Sequence, residues 1–397
     1  MKRSFFQNLA SFFALLSILF IPFPFYLFRV VKNWEGLQYK ISDFLFGKLV
    51  GSPIFSDSRS MYRLVLVIFI LSLVISLIVT NSKKWPATWP KLFALIRVIC
   101  FYYLALQMLK YGLDKVFKNQ FYLPESNILY TPLGKLDKDI LYWSSMGTSH
   151  FYSFFMGMLE SLAAVFLLIK RTRLIGLLMS LAILLNVVAV NFGFDIGVKL
   201  YSLFLLFLVI YLLVPYVKRL YQLFLLRNET MVKPIATESI FPKRTFLSVF
   251  LKWLVIGLIL LECFYPFIRS GNFNGDTAKR PYLHGAYEVE HMVKGADTIP
   301  GATQLKRFFI HSHDYLILQD QHDNMQDYKI LSDGTVPGYV LEDHQKNKIP
   351  LFIDFNSSEG LIVIRYGKPG DETKLYGRSI DWRHLPALRK GFHWTAD

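Results

Sequence analysis

The sequence predicts a membrane protein in two parts: an all-α bundle of about seven transmembrane helices, then a small antiparallel β-barrel or sandwich. Three observations predict it. The 397 residues are 53% hydrophobic and only 18% charged, a departure from soluble proteins toward membrane ones. Apolar runs of the length needed to cross the hydrocarbon core, roughly 20 helical residues, recur up to Ile268. Beyond Ser270 the runs stop and short segments of alternating apolar and polar residues follow, the pattern of half-buried strands.

Charge and cysteine usage narrow the class. The formal net charge is +15, and its Lys and Arg cluster beside the apolar runs, where membrane topology accounts for them. No nucleic-acid motif accompanies the charge. The partners to expect are the lipid bilayer and a membrane or periplasmic protein, not nucleic acid. The two cysteines, Cys100 and Cys263, both lie inside apolar runs. That argues against a disulfide framework and against a Cys metal site.

Taken in order, four segments emerge. Residues 1–90 form an N-terminal transmembrane hairpin. Its first helix runs from about Leu9 to Val31, bent at Pro22 and Pro24, and is too long and without the cleavage site of a signal peptide. A connector over 32–61 leads to a span over Tyr62–Thr80, and the basic turn Asn81–Lys91 holds Lys83 and Lys84. Residues 91–215 form a four-helix core with spans Leu92–Gly112, His150–Ile169, Leu174–Phe192 and Val198–Val214. The connector Asp114–Gly147, rich in aromatics, reads as packed rather than free. Residues 216–269 supply a basic connector (Lys218 to Arg244) and a seventh span, Phe246–Ile268. Residues 270–397 are a linker and a β-rich domain of eight or so strands, with Asp333-Gly334 and Glu359-Gly360 as turns. Lys and Arg gather in alternate short loops, which places the N-terminus in the cytoplasm and the β domain outside it.

Charged residues within spans are costly and mark sites or packing contacts. Glu160 falls midway along the fourth span and Arg97 in the third, at depths about one helical turn apart. They read either as an ion pair that sets helix register or as a proton or substrate site. Asn186, Asn191, Asp195 and Lys199 surround the turn between the fifth and sixth spans. They read either as a cap and interface anchor or, with Lys115, Gln120 and His150, as a polar pocket. In that pocket a lysine would orient an anion or carbonyl and a carboxylate would move protons. His311 and His313 share one strand face, but no third ligand is identifiable, so no metal is expected. No catalytic residue can be assigned: there is no Ser-His-Asp context, dinucleotide fingerprint or P-loop.

These residues form a recognisable set: Tyr111-Gly112-Leu-Asp-Lys115, Gln120-Phe121, Ser149-x-x-Tyr152-x-x-Phe155-x-Gly157-x-x-Glu160, Lys170-Arg-Thr-Arg173, and Asn186…Asn191-Phe-Gly-Phe-Asp195…Lys199. Over roughly Lys91–Pro215 the chain resembles DoxX-like membrane proteins. The ending Arg389-Lys-Gly-Phe-His-Trp394 is similar to that of long members with an outer domain. His284-Gly285-Ala-Tyr287-Glu-Val289 resembles the opening strand of lipocalin-like barrels. The resemblance implies a bacterial inner-membrane bundle, in some members an accessory to quinol or thiosulfate:quinone oxidoreductases. It makes this chain an accessory subunit that binds a quinone or lipid, its site lined by the residues singled out above. The rival reading is a membrane-anchored assembly protein whose β domain binds an envelope partner or lipophilic ligand. A transporter would show an inverted repeat or broken-helix pair, and none is visible.

Overall fold

The computed structural model describes residues 4–26, 37–51, 54–82, 89–227, 246–295, 297–300, 304–331, 339–356, 358–368, 371–389 and 391. Lys83, Lys84, the stretch from Lys233 to Arg244, the Asp333-Gly334 turn and, of the terminal motif, Lys390 and 392–394 lie outside these residues. The described chain packs as two compact units.

The first unit, Met1–Gln120 with His150–Gly275, is a helical bundle. Its helices are α1 (Phe5–Phe20), α2 (Leu37–Val50), α3 (Arg59–Asn81) and α4 (Trp89–Val116). After the 121–149 segment come α7 (His150–Leu168), α8 (Arg173–Gly193), α9 (Lys199–Leu213), α10 (Val217–Phe224) and α11 (Phe246–Ser270). Among the described residues, six helical stretches are long and apolar enough to span a membrane: α3, α4, α7, α8, α9 continued through α10, and α11. Large apolar side chains on their outer faces, such as Ile78, Phe154, Leu185 and Leu261, are exposed, as a lipid-facing surface requires.

The first helix departs from expectation. It ends at Phe20 after 16 residues, where the apolar run was read as helical to Val31. Ile21 is extended (φ −68°, ψ 116°) because it precedes Pro22, and the two prolines remove amide donors. The carbonyls thereby freed are capped by α2, which forms within the stretch read as a connector. Gln38 Nε2 donates to the Ile18 and Leu19 carbonyls at 2.9 and 3.1 Å, and Ser42 Oγ donates to that of Phe20.

The four predicted core helices, α4, α7, α8 and α9, pack in a ring, each on the next and α9 back on α4, which also meets α1 and α11. Gly112 and Gly157 set the closest approach. A Cβ on Gly157 would lie 2.5 Å from the Gly112 carbonyl oxygen and 2.8 Å from the Val116 nitrogen, the small-residue contact that lets membrane helices touch backbone to backbone.

The second unit, Phe121–Ser149 with Asp276–Asp397, contains α5 (Ser126–Leu129), α6 (Lys138–Thr148) and nine strands. Those are β1 (Gly285–Lys294), β2 (Asp297–Pro300), β3 (Leu305–His311), β4 (Tyr315–Asp320), β5 (Met325–Leu331), β6 (Tyr339–Glu342), β7 (Lys348–Asn356), β8 (Leu361–Lys368) and β9 (Asp371–Ile380). Each pairs antiparallel with the next, and β9 closes onto β1. β2 and β3 pair with successive halves of the same β1 edge, His291–Lys294 and Gly285–Glu288. The result is a closed barrel of eight strand positions. This is the antiparallel β domain of eight or so strands that the alternating pattern predicts.

Alternation sorts the side chains. Tyr287, Val289, Phe308, Ile310, Leu316, Leu318, Ile362, Ile364 and Leu375 fill the interior, as expected for a barrel of this strand number. Their neighbours Ala286, Phe309 and Ile317 point outward and pack with Leu123, Leu129, Tyr130 and Trp382. The aromatic 121–149 connector is therefore packed, as its composition implied. It belongs to this unit rather than to the helical core in which it lies in sequence.

Candidate functional site

The C-terminal half of α4 carries polar residues at i, i+4, i+7 and i+11: Tyr103, Gln107, Lys110 and Asp114. Residues at these spacings share one helix face. Tyr103 shares its hydroxyl hydrogen bond with Tyr201 of α9 at 2.8 Å. Lys110 Nζ lies 3.1 Å from Glu262 Oε1 of α11, and the two side chains are 6% and 4% exposed. The stretch beyond α1, released from helix by its prolines, enters the same cluster. Lys110 donates to the Pro24 carbonyl at 3.0 Å and sits 3.8 Å from the Tyr26 ring, whose residue's amide donates to Glu262 at 2.7 Å.

A second ion pair ties α4 to α7. Lys115 Nζ lies 2.8 Å from Glu160 Oε2, with side chains 8% and 3% exposed, and Ser153 Oγ donates to the Lys115 carbonyl at 2.9 Å. The sequence reading paired Glu160 with Arg97, and the structure overturns that pairing. Lys115 and Arg97 are eighteen residues apart on α4, about 27 Å of helix. α4 extends beyond the predicted span at both ends, from Trp89 to Val116, and the Gly112–Gly157 contact fixes its register on α7.

The residues around the α8–α9 turn build a clamp. The Asp57 carboxylate accepts from the Lys199 and Leu200 amides at 2.8 and 3.0 Å, capping the α9 N-terminus where free amides and the helix dipole attract a carboxylate. Lys199 Nζ in turn reaches Asp195 at 2.6 Å and Asp57 at 3.8 Å. Asn191 is buried, and its carbonyl accepts from the Ile196 amide at 2.9 Å. Asn186 and His150 are exposed, and the Gln120 amide donates to the Asp114 carbonyl at 2.9 Å. The cap reading describes Asp195 and Lys199, with Asp57 as a member that the sequence did not single out. Lys110, Glu262 and Gln107 were likewise missed, although the rule that selected Glu160 applies equally to Glu262 and Lys110.

Arg97 lies elsewhere. It lines a cavity of about 550 Å³ together with Phe6, Gln7 and Ala10 of α1 and Phe207, Ile210 and Tyr211 of α9. Its Nε is enclosed and has no hydrogen-bond partner among the described residues. Tyr211 shares a 2.8 Å hydrogen bond with Ser11.

In the second unit, Glu125, just ahead of α5, is 4% exposed. Its Oε2 lies 2.7 Å from His284 Nε2 and its Oε1 3.5 Å from Arg280 Nη1. Burial alone would raise this carboxyl's pKa, but hydrogen bonds from His284 and Ser312 and the nearby His311 bring it down to about 2. The His311 and His313 rings stack at 5.3 Å, and His311 Nδ1 accepts from the His313 amide at 3.1 Å. Among the described residues, no group of three His, Cys, Asp or Glu is placed to hold a metal.

The fold and its buried charges define a helical membrane protein that carries a β-barrel domain. The chain is 39% identical over 113 residues to the protein called Uncharacterized protein YwoB of Bacillus subtilis (strain 168), covering 28% of this chain and 70% of that one. It belongs to the same family as that protein. No family model and no solved structure matches it.

Proposed function

We propose that this chain is a multi-pass membrane protein whose helical bundle binds a small amphiphile, a lipid or a quinone. It would serve as an accessory subunit of a membrane redox process, the role that its resemblance to DoxX-like proteins implies. The distribution of Lys and Arg supports the bacterial inner membrane, with the N-terminus cytoplasmic and the barrel outside.

The observation that carries the binding reading is the Arg97 cavity. Its volume of about 550 Å³ falls in the range of small-molecule sites, and its lining is apolar with a few polar groups. The barrel supports the alternative of a lipophilic ligand less well, because its interior is occupied by its own side chains. The two ion pairs and the Asp57 clamp read as structural, since their charged groups answer one another.

Mass spectrometry of the full chain purified in mild detergent tests this reading. A lipid or quinone should be enriched with the wild type and depleted from Ala10→Leu, which fills the cavity wall. A co-purifying envelope protein with no enriched small molecule would sink the proposal and favour the assembly reading.

A further inference from the structure

We infer that the Arg97 cavity takes an acyl lipid with an oxyanion headgroup, a phosphate or a carboxylate, rather than a neutral quinone. This rests on the proposal that the cavity binds an amphiphile, and it follows from charge. Arg97 lies eight residues into α4, about 12 Å from the helix start. Its guanidinium is a cationic fork of donors without an acceptor, and a charge within a membrane span calls for a partner. Among the described residues, none of the nine that line the cavity is acidic. The polar neighbours do not supply an anion either: Gln7 caps Ser4 through its Oε1, and Tyr211 is bonded to Ser11. Quinone carbonyls would accept a hydrogen bond and leave the charge uncompensated. A phosphate or carboxylate matches the planar fork of donors and neutralises it.

The rest of the cavity fits the rest of such a lipid. Phe6 and Gln7 belong to the first turn of α1, and Val214 and Pro215 follow the end of α9. The cavity thus reaches helix ends, the level of lipid headgroups. Phe6, Ile210 and Val214 are 76%, 50% and 53% exposed, so its wall continues into the apolar surface where acyl chains lie. A basic pocket between helices is a recurrent way to hold an anionic headgroup.

Native mass spectrometry of the delipidated full chain tests the inference, by titration with phosphatidylglycerol, oleate, diacylglycerol, a menaquinone and inorganic phosphate. Phosphatidylglycerol or oleate should bind the wild type and lose roughly ten- to hundredfold in Arg97→Gln, the worth of a charge-assisted hydrogen bond. Arg97→Lys, which keeps the charge without the fork, should fall between. That variant keeps the test open if Arg97→Gln does not fold. Whichever of the two anionic lipids binds more tightly identifies the headgroup. Equal binding of diacylglycerol or menaquinone, insensitive to Arg97, overturns the anionic ligand while leaving an amphiphile site. Inorganic phosphate binding as tightly as either lipid overturns the lipid. No binding of any amphiphile overturns this inference and the proposed function together.

Discussion

Glu160 and Lys115 are each buried almost completely and lie 2.8 Å apart, so each is the other's means of tolerating low dielectric. Removing one leaves an uncompensated charge, which costs about 3–5 kcal/mol, whereas replacing both with apolar residues can be close to neutral. Glu160→Leu and Lys115→Leu should therefore each lower the melting temperature in detergent sharply, and the double variant should recover most of the loss. Additive losses would show that the pair does not act as a unit. Arg97→Gln combined with Glu160→Leu should simply add, since distant sites are independent. Glu160 was legible in the sequence because a carboxylate in an apolar run is conspicuous. Its partner was not, because the third span was read as ending at Gly112, which left Lys115 in a connector. One further turn of helix, to Val116, brings Lys115 inside. The unpaired state of Arg97 Nε depends on neighbours from α1 and α9, which periodicity along α4 does not specify.

At the scale of elements, glycine decides how closely α4 and α7 approach. An alanine at Gly157 would place its Cβ against the backbone of Gly112 and Val116, neither of which can rotate away. The helices would have to separate, at a cost of about 1–3 kcal/mol for overpacking. Gly257, inside α11, has nothing within 4 Å of its would-be Cβ. Thermal unfolding should thus show Gly157→Ala clearly destabilised, and Gly257→Ala neutral or stabilised by up to about 1 kcal/mol through helix propensity. Equal effects at the two positions would remove the glycine contact as the determinant of register. The span boundaries from α3 onward were readable to within a few residues, because hydropathy follows the helices themselves. The end of α1 was harder. The apolar run continues past Pro22, and the capping of its last carbonyls by Gln38 and Ser42 of α2 is tertiary.

For the molecule as a whole, the two units draw on different physics. The bundle's buried ion pairs tie one helix to another, while the second unit is assembled from segments more than a hundred residues apart, 121–149 and 276–397. Alternation made the barrel strands readable, but it carries no information about a distant partner such as Glu125. That carboxylate joins the inserted segment to His284 and Arg280, and Tyr130 adds a 3.0 Å bond from Gln319 and a cation–π contact with Arg307. Glu125 is held at about 2 against an ordinary value of 4.5, so the folded unit binds fewer protons there than the unfolded chain. The contribution is fully present above about pH 4.5 and is lost as pH falls toward 2. Its size is on the order of 3 kcal/mol. Burial also holds His311 below its usual value, despite the opposing Glu125 charge, so its protonation opposes folding from about pH 6.5 downward. Pepsin cleavage within 121–149, normalised at each pH to the denatured chain, should therefore accelerate as the wild type is acidified from pH 4.5. Glu125→Gln should be cleaved faster at pH 4.5 and accelerate less than the wild type on further acidification. Parallel pH profiles for the two proteins would mean that the segment is held by its aromatic packing, with Glu125 a bystander.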